Sequence, residues 1–240
     1  MITQSIKHIS DKLIEITTFN EGILYRVETI DIHTCKLNGP YKEYHDNGQL
    51  SFVLNYINGQ LHGPYNSYYP NAKLYLETNH INGNINGTYK MYYPCGQFYI
   101  DANYLDGKGH GPYKEYFETG HLSVVSNYLN GELNGPCISY YTNNQLYIEE
   151  NYVNGKRHGS YKSYFSNGQL SVETNYLNGE YHGTYKEYYL NGQLSLEINY
   201  LNGKRHGPYK EYHHDGELLN ETTYINGIEH DNTVNQPYIR

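Results

Sequence analysis

Eight glycines, Gly39, Gly63, Gly87, Gly111, Gly135, Gly159, Gly183 and Gly207, recur every 24 residues with no insertion or deletion between them. A fixed short period makes each unit one supersecondary element, which buries its apolar surface only by stacking on its neighbours. The columns around the glycines are as regular. Tyr44, Tyr68, Tyr92, Tyr116, Tyr140, Tyr164, Tyr188 and Tyr212 stand in register, and the column Leu50, Leu74, Phe98, Leu122, Leu146, Leu170, Leu194 and Leu218 changes once. One backbone and packing problem is solved eight times, so these tyrosines and glycines are assigned structural roles.

Each unit holds two extended stretches around a turn, as in Tyr161 to Phe165, Ser166-Asn167-Gly168, and Gln169 to Tyr176. That is a β-hairpin. Pro70 and Pro94 open the turn in two units and glycine usually closes it, which selects a type I turn with a left-handed third residue over a two-residue Asn-Gly turn. The three-residue loop sets Tyr164 opposite Leu170 and Lys162 opposite Val172, with Tyr176 further along the same face. The two-residue loop would instead set Lys162 opposite Glu173, and likewise Lys90 with Asp101, Lys186 with Glu197 and Lys210 with Glu221. A second punctuation, Asn178-Gly179-Glu180-Tyr181-His182-Gly183, predicts a longer turn that starts the next hairpin.

The expected fold is all-β: an elongated, single-layer antiparallel meander of stacked hairpins. Sixteen strands at about 4.8 Å would extend roughly 75 Å. Residues 39–230 form one continuous array of eight repeats. Residues 1–38 read as a degenerate N-terminal capping repeat, with strands at Lys12 to Phe19 and Ile23 to Ile32 around Glu21-Gly22. Residues 231–240 lose the pattern and are expected to fray.

Composition narrows the function. With 32 Tyr, no Trp and 5 Phe, tyrosine must supply most of the packing, burying its ring while its hydroxyl reaches water or a neighbour. A net charge of −8 disfavours a general phosphate-backbone binder, whose affinity comes from neutralising phosphates, so no nucleic-acid partner is expected. Lys156-Arg157 and Lys204-Arg205 are local exceptions. Cys35, Cys95 and Cys137 have neither disulfide nor zinc spacing. The N-terminus has no apolar signal core and no stretch spans a bilayer, which points to a soluble intracellular protein.

The histidine column, His62, His110, His158, His182 and His206, alternates with Asn38, Asn86 and Asn134. Equivalent atoms two strands apart lie roughly 9–10 Å from each other, too far for one metal ion, so this position is expected to satisfy a turn. His213-His214-Asp215 falls in a hairpin tip. No phosphate loop or nucleophile elbow appears, and the carboxylates follow repeat position instead of converging. No catalysis and no cofactor is expected.

The consensus Asn-Gly-x-x-His-Gly-Pro-Tyr-Lys-x-Tyr-Tyr-x-Asn-Gly-Gln-Leu, carried by Asn202 to Leu218 with local departures, resembles the MORN repeat. It is most similar to the MORN variant with Tyr-Tyr-x-Asn-Gly-x-Leu units, over residues 39–230. The ordinary MORN unit carries Tyr-x-Gly-x-Trp, which this chain lacks. The resemblance implies a non-enzymatic β array acting as a scaffold or self-association module. Its partner would be an unidentified protein or a second copy of the chain. It also implies an alternative, a peripheral adaptor for anionic phospholipid, which the net charge disfavours. That adaptor would use Lys156, Arg157, Lys204 and Arg205 with the lysine column Lys162, Lys186 and Lys210. A further alternative is a carbohydrate-binding module built on exposed tyrosine rows. The unit is also similar to repeats of bacterial antitoxins and of large DNA viruses, whose AT-rich genomes match the Asn, Ile, Tyr and Lys bias; a viral source would place the protein in the host cytoplasm.

Overall fold

The computed structural model describes residues 1–230, and every element among them is a β-strand joined by tight turns. The frayed tail expected from Asp231 lies outside the described residues. The chain falls into two compact units, one over Met1–His121 and one from Leu122 onward. Each unit is an open antiparallel meander in which every hairpin pairs with its sequence neighbour.

Two turns generate the repeat. At the hairpin tip, Phe165 N–H donates to Gln169 O at 2.8 Å and Gly168 N–H donates to Phe165 O at 2.8 Å. Gly168 has φ +86°. This is the expected three-residue loop with a left-handed third residue. Ala72 holds the same conformation at φ +63° without glycine's freedom. The connecting turn is tighter than expected. Asn154 and Gly155, at φ +49° and +74°, reverse the chain alone, and Val153 pairs directly with Lys156. Two successive positive φ values make a two-residue type I′ turn, whose twist suits flanking strands.

The second glycine of that punctuation therefore lies inside the returning strand. Glu150 pairs with Tyr161 and Tyr152 with Arg157, so Asn151 alone spans His158, Gly159 and Ser160. Gly159 accommodates the bulge at φ +87°, with open space around it. Its requirement is backbone conformation, not room. All eight glycines of the 24-residue column have positive φ. Asn151 Nδ2 stitches the bulge by donating to His158 O at 3.0 Å, and Asn55, Asn79 and Asn127 act alike in their own units.

A further bulge corrects the expected register. Tyr164 pairs with Leu170 as the three-residue loop requires, but Ser163 then pairs with Val172, leaving Ser171 without a counterpart. The one-residue slip sets Lys162 opposite Glu173 instead of Val172. Lys90–Asp101, Lys186–Glu197 and Lys210–Glu221 follow the same pattern. The slip also moves Tyr176 to the face opposite Tyr164, because strand residues alternate sides. The lysines consequently face carboxylates, with Lys210 Nζ 3.2 Å from Glu221 and Lys186 Nζ 3.8 Å from Glu197.

The core is one row wide. On the face away from the lysines, a tall tyrosine pairs with a short or aliphatic residue: Tyr41 with Leu54, Tyr65 with Thr78 and Tyr89 with Ala102 in the first unit. Tyr161 with Thr174, Tyr185 with Ile198 and Tyr209 with Thr222 continue the pattern in the second. Ala102 and Ile198 are each 3% exposed although only a single sheet is present. Their cover comes from rings on adjacent strands, since Tyr209 pairs with Ile198 on its other side. Residues 1–38 contribute Leu13–Asn20 and Ile23–Asp31, near the expected bounds, together with a first strand, Ile2–His8, that the pattern did not suggest.

Ile198→Ala should cost about 2–4 kcal/mol of unfolding free energy. Leu190→Ala, at a tip position 61% exposed, should stay within about 0.5 kcal/mol. Urea denaturation of the two variants checks the contrast.

Candidate interaction surface

The tyrosine column that never varies lies half-buried on the lysine face. Tyr164 Oη donates to Glu149 Oε2 at 2.8 Å, and Tyr188 Oη donates to Glu173 Oε1 at 2.7 Å. Both partners belong to the preceding hairpin, so the column ties units together. Burial, followed by the Glu149 hydrogen bond, pushes the Tyr164 phenol up to about 12, and the same two causes raise Tyr188. On the opposite face, burial and Glu43 push Tyr41 up to about 12.

The neighbouring aromatic column escaped the sequence analysis. Tyr69 Oη donates to Tyr92 O, Tyr93 to Tyr116 O, Tyr141 to Tyr164 O and Tyr189 to Tyr212 O, all at 2.8–2.9 Å. His45 Nε2 makes the same bond to Tyr68 O at 2.9 Å. Beside it, tip asparagines reach the next tip: Asn47 Nδ2 donates to Pro70 O and Asn143 Nδ2 to Ser166 O, each at 2.8 Å. The signal was present as a column restricted to Tyr, Phe and His directly after the constant tyrosine.

The histidine column sits one residue per unit against the following connecting turn. His206 Nδ1 accepts from Asn226 N–H at 3.4 Å, and Asn134 Oδ1 accepts from Asn154 N–H at 3.3 Å. At His62, His110, His158 and His182 the Nδ1 atom is buried without a hydrogen-bond partner. His213-His214-Asp215 occupies a tip, where Asp215 accepts from the backbone of Glu217 at 3.1 Å. That bond holds the Asp215 carboxyl below its usual range.

The basic residues do not form one stripe. Arg157 lies over the Tyr161 and Tyr176 rings at 5.3 and 5.4 Å, and Arg205 lies over Tyr209 and Tyr224 at 5.4 and 5.3 Å. Both arginines therefore share the face of the core row, opposite the lysine column. Lys156 and Lys204 close connecting turns opposite Val153 and Leu201. On the lysine face, a shallow polar recess of about 310 Å³ opens where Ser160 and Thr184 stand in place of the proline that five units carry. Its groups are engaged with the sheet: Thr184 Oγ1 donates to Asn199 Oδ1 at 3.0 Å, and Glu173 accepts from Tyr188.

One unit departs from the core row. Glu150 stands where the others carry Leu, Thr, Ala, Ser or Ile, and it faces Cys137, which replaces the row tyrosine. Arg157 Nε lies 2.7 Å from Glu150 Oε2, and Tyr152 Oη donates to Oε1 at 3.1 Å. Burial, then Glu150, pushes the Cys137 thiol up, so it resists becoming the reactive thiolate. Cys35 and Cys95 are exposed free thiols.

Against known families, the description "MORN repeat variant" matches residues 37–58, 109–130, 133–154, 157–178, 181–202 and 205–226. The chain belongs to the MORN repeat variant family. The six matched segments cover more than half of its length, and the hairpins between the first two have the same turns and bulges. MORN repeats suggest a repeat scaffold, and the family is generally non-enzymatic. No curated protein matches the sequence. Among solved structures, "Crystal Structure of TcdB2-TccC3" is similar at 12% identity and a TM-score of 0.22, covering 88% of this chain and 15% of that chain. A likeness at that level carries no argument. Among the described residues, no helix of this MORN protein is long and apolar enough to cross a membrane.

Two outcomes follow. The raised phenols predict stability that is intact below pH 10, where phenols of the unfolded chain begin to ionise, and lost as pH rises through about 12. Melts at stepped alkaline pH read this loss, and Tyr164→Phe should lessen it. Separately, Glu150→Thr should be neutral or stabilising, whereas Arg157→Met, which strands a buried carboxylate, should destabilise by about 3 kcal/mol in urea unfolding.

Proposed function

We propose that this MORN protein is a non-enzymatic scaffold whose extended β surface docks another protein or a second copy of the chain. One observation carries the reading. The side chains that resemble functional groups, namely tyrosine hydroxyls and asparagine amides, are committed to hydrogen bonds between successive hairpins, and the histidine column is spread one residue per unit instead of converging. What remains outward is a regular surface repeated at a fixed interval, which suits long, multi-point contact. The split of Arg157 and Arg205 from the lysine column onto opposite faces, and the carboxylates facing the lysines, weaken the phospholipid alternative.

Affinity capture with the tagged full-length chain from extracts of its native cells tests this, run beside light scattering and cosedimentation with anionic liposomes. The expected result is a stoichiometric protein partner or a defined oligomer, with little liposome binding. Salt-sensitive cosedimentation in the absence of either, abolished by neutralising Lys156, Arg157, Lys204 and Arg205 together, would replace the scaffold with the membrane adaptor.

A further inference from the structure

Resting on the scaffold reading, we propose that Tyr69, Tyr75, Tyr93 and Tyr99 form a docking ledge for a proline-rich, basic peptide segment in the polyproline II conformation. The residue at the tip-side bulge is Ser51, Ser123, Ser171 and Ser195 in four units, so a serine satisfies the fold there. The same position is Tyr75 and Tyr99 in two adjacent hairpins of the first unit, whereas in the second it is Leu219 and Tyr147, the latter a single pair stacked on Tyr141 at 4.6 Å with serine in the following hairpin. In the first unit each ring rests on the tyrosine across its tip, Tyr75 on Tyr69 and Tyr99 on Tyr93, with centroids 5.0 Å apart in both pairs.

The lower ring of each pair is fixed. Tyr69 and Tyr93 hydroxyls are bonded to the carbonyls of Tyr92 and Tyr116 at 2.8 Å, so the platform exists before any ligand arrives. Of the upper rings, Tyr75 is 37% exposed and Tyr99 is half-buried, so each keeps part of its surface open to a ligand. Preformed aromatic surfaces that lose little entropy on binding are what polyproline II ligands use.

Spacing selects the ligand. The pairs belong to hairpins related by two strands, which sets them about 9.6 Å apart. A polyproline II helix advances about 9.3 Å per three-residue turn. A proline at every third residue would therefore meet one aromatic pair per turn along the direction in which hairpins stack. An extended β-strand, at about 3.3 Å per residue with side chains alternating, has no comparable match to a single face.

Charge selects the flanking residues. Glu115 and Glu118 both act on the Tyr93 phenol, which burial primarily raises, and Glu118 is an exposed tip residue. The nearby Lys73 Nζ is held by Cys95 O at 2.6 Å. With a net charge of −8, the protein complements arginine or lysine placed between the prolines.

The test is calorimetric titration of the full-length protein with a synthetic peptide of Pro-Pro-Arg triplets, and with a control in which glycine replaces each proline. The triplet peptide should bind and the control should not. Tyr75→Ser with Tyr99→Ser, a change to the residue that other units already carry, should keep the melting temperature and weaken binding about tenfold or more. Glu118→Gln serves as a second, tip-exposed variant and should weaken binding by severalfold. Absence of triplet binding, equal binding of the glycine control, or binding undiminished in the double-serine variant would each overturn the ledge. In the same extract capture, a partner retained by the double-serine variant would remove this inference while leaving the scaffold standing, whereas no partner and no oligomer for the wild type would remove both.

Discussion

The structure depends on hydrogen bonds that leave one hairpin and end on a backbone carbonyl of the next. A single sheet has no second layer to bury against, so each unit gains its stability largely from its neighbours. The ladder between hairpins supplies part of that coupling, but the bulge at Gly159 and its equivalents interrupts it once per unit. Tyr69 to Tyr92 O, and the same bond at Tyr93, Tyr141 and Tyr189, restores the coupling at the tip end. Asn151 and its column restore it at the bulge. Both ends of each hairpin, the exposed tip and the bulge beside the connecting turn, are thus tied to the next.

These bonds also explain why tyrosine dominates. Phenylalanine at the second aromatic position, as at Phe117 and Phe165, keeps the ring but lacks a donor for the next carbonyl. Leucine would cover less of the neighbouring strand. A residue with a flat apolar body and a distal hydroxyl can shield a row of small side chains and still close a polar contact. On the core face the same chemistry works within a strand, where Tyr41 and Tyr113 donate to Glu43 and Glu115 two residues on, at 2.9 and 3.1 Å.

The period, the hairpin, its three-residue tip and the all-β class were legible because each rests on residues that recur in every unit. The register was legible only in part. Tyr164 opposite Leu170 follows from the loop, and Lys162 opposite Glu173 follows from charge pairing, yet a regular ladder cannot hold both. The bulge at Ser171 reconciles them. Serine there carries no mark that separates a bulged residue from an ordinary one, since the extra residue occurs in every unit and leaves the 24-residue period intact. The connecting turn was misjudged for a related reason: two glycines four apart look like one long loop, while the structure gives the first to a type I′ turn and the second to a strand bulge. The inter-unit hydrogen bonds were invisible because their partners are carbonyls, which every residue carries.

In an array, sameness and departure have different physical content. A column that never changes, such as the Gly39 or Tyr44 series, answers a constraint present in every unit. A column that tolerates serine in four units answers a weak constraint, so a tyrosine there adds a ring, stacked on the tip tyrosine, that the bulge itself does not need. Glu150 illustrates the opposite case: a carboxylate enters a row of small and aliphatic residues, and the chain answers locally with Arg157, Tyr152 and the exchange of a row tyrosine for Cys137. That departure is internally satisfied and needs no ligand. Tyr75 and Tyr99 are not required by the bulge, and they extend fixed rings outward at the spacing of the array. The distinction between a satisfied departure and an unsatisfied one separates local repair from a surface available for recognition.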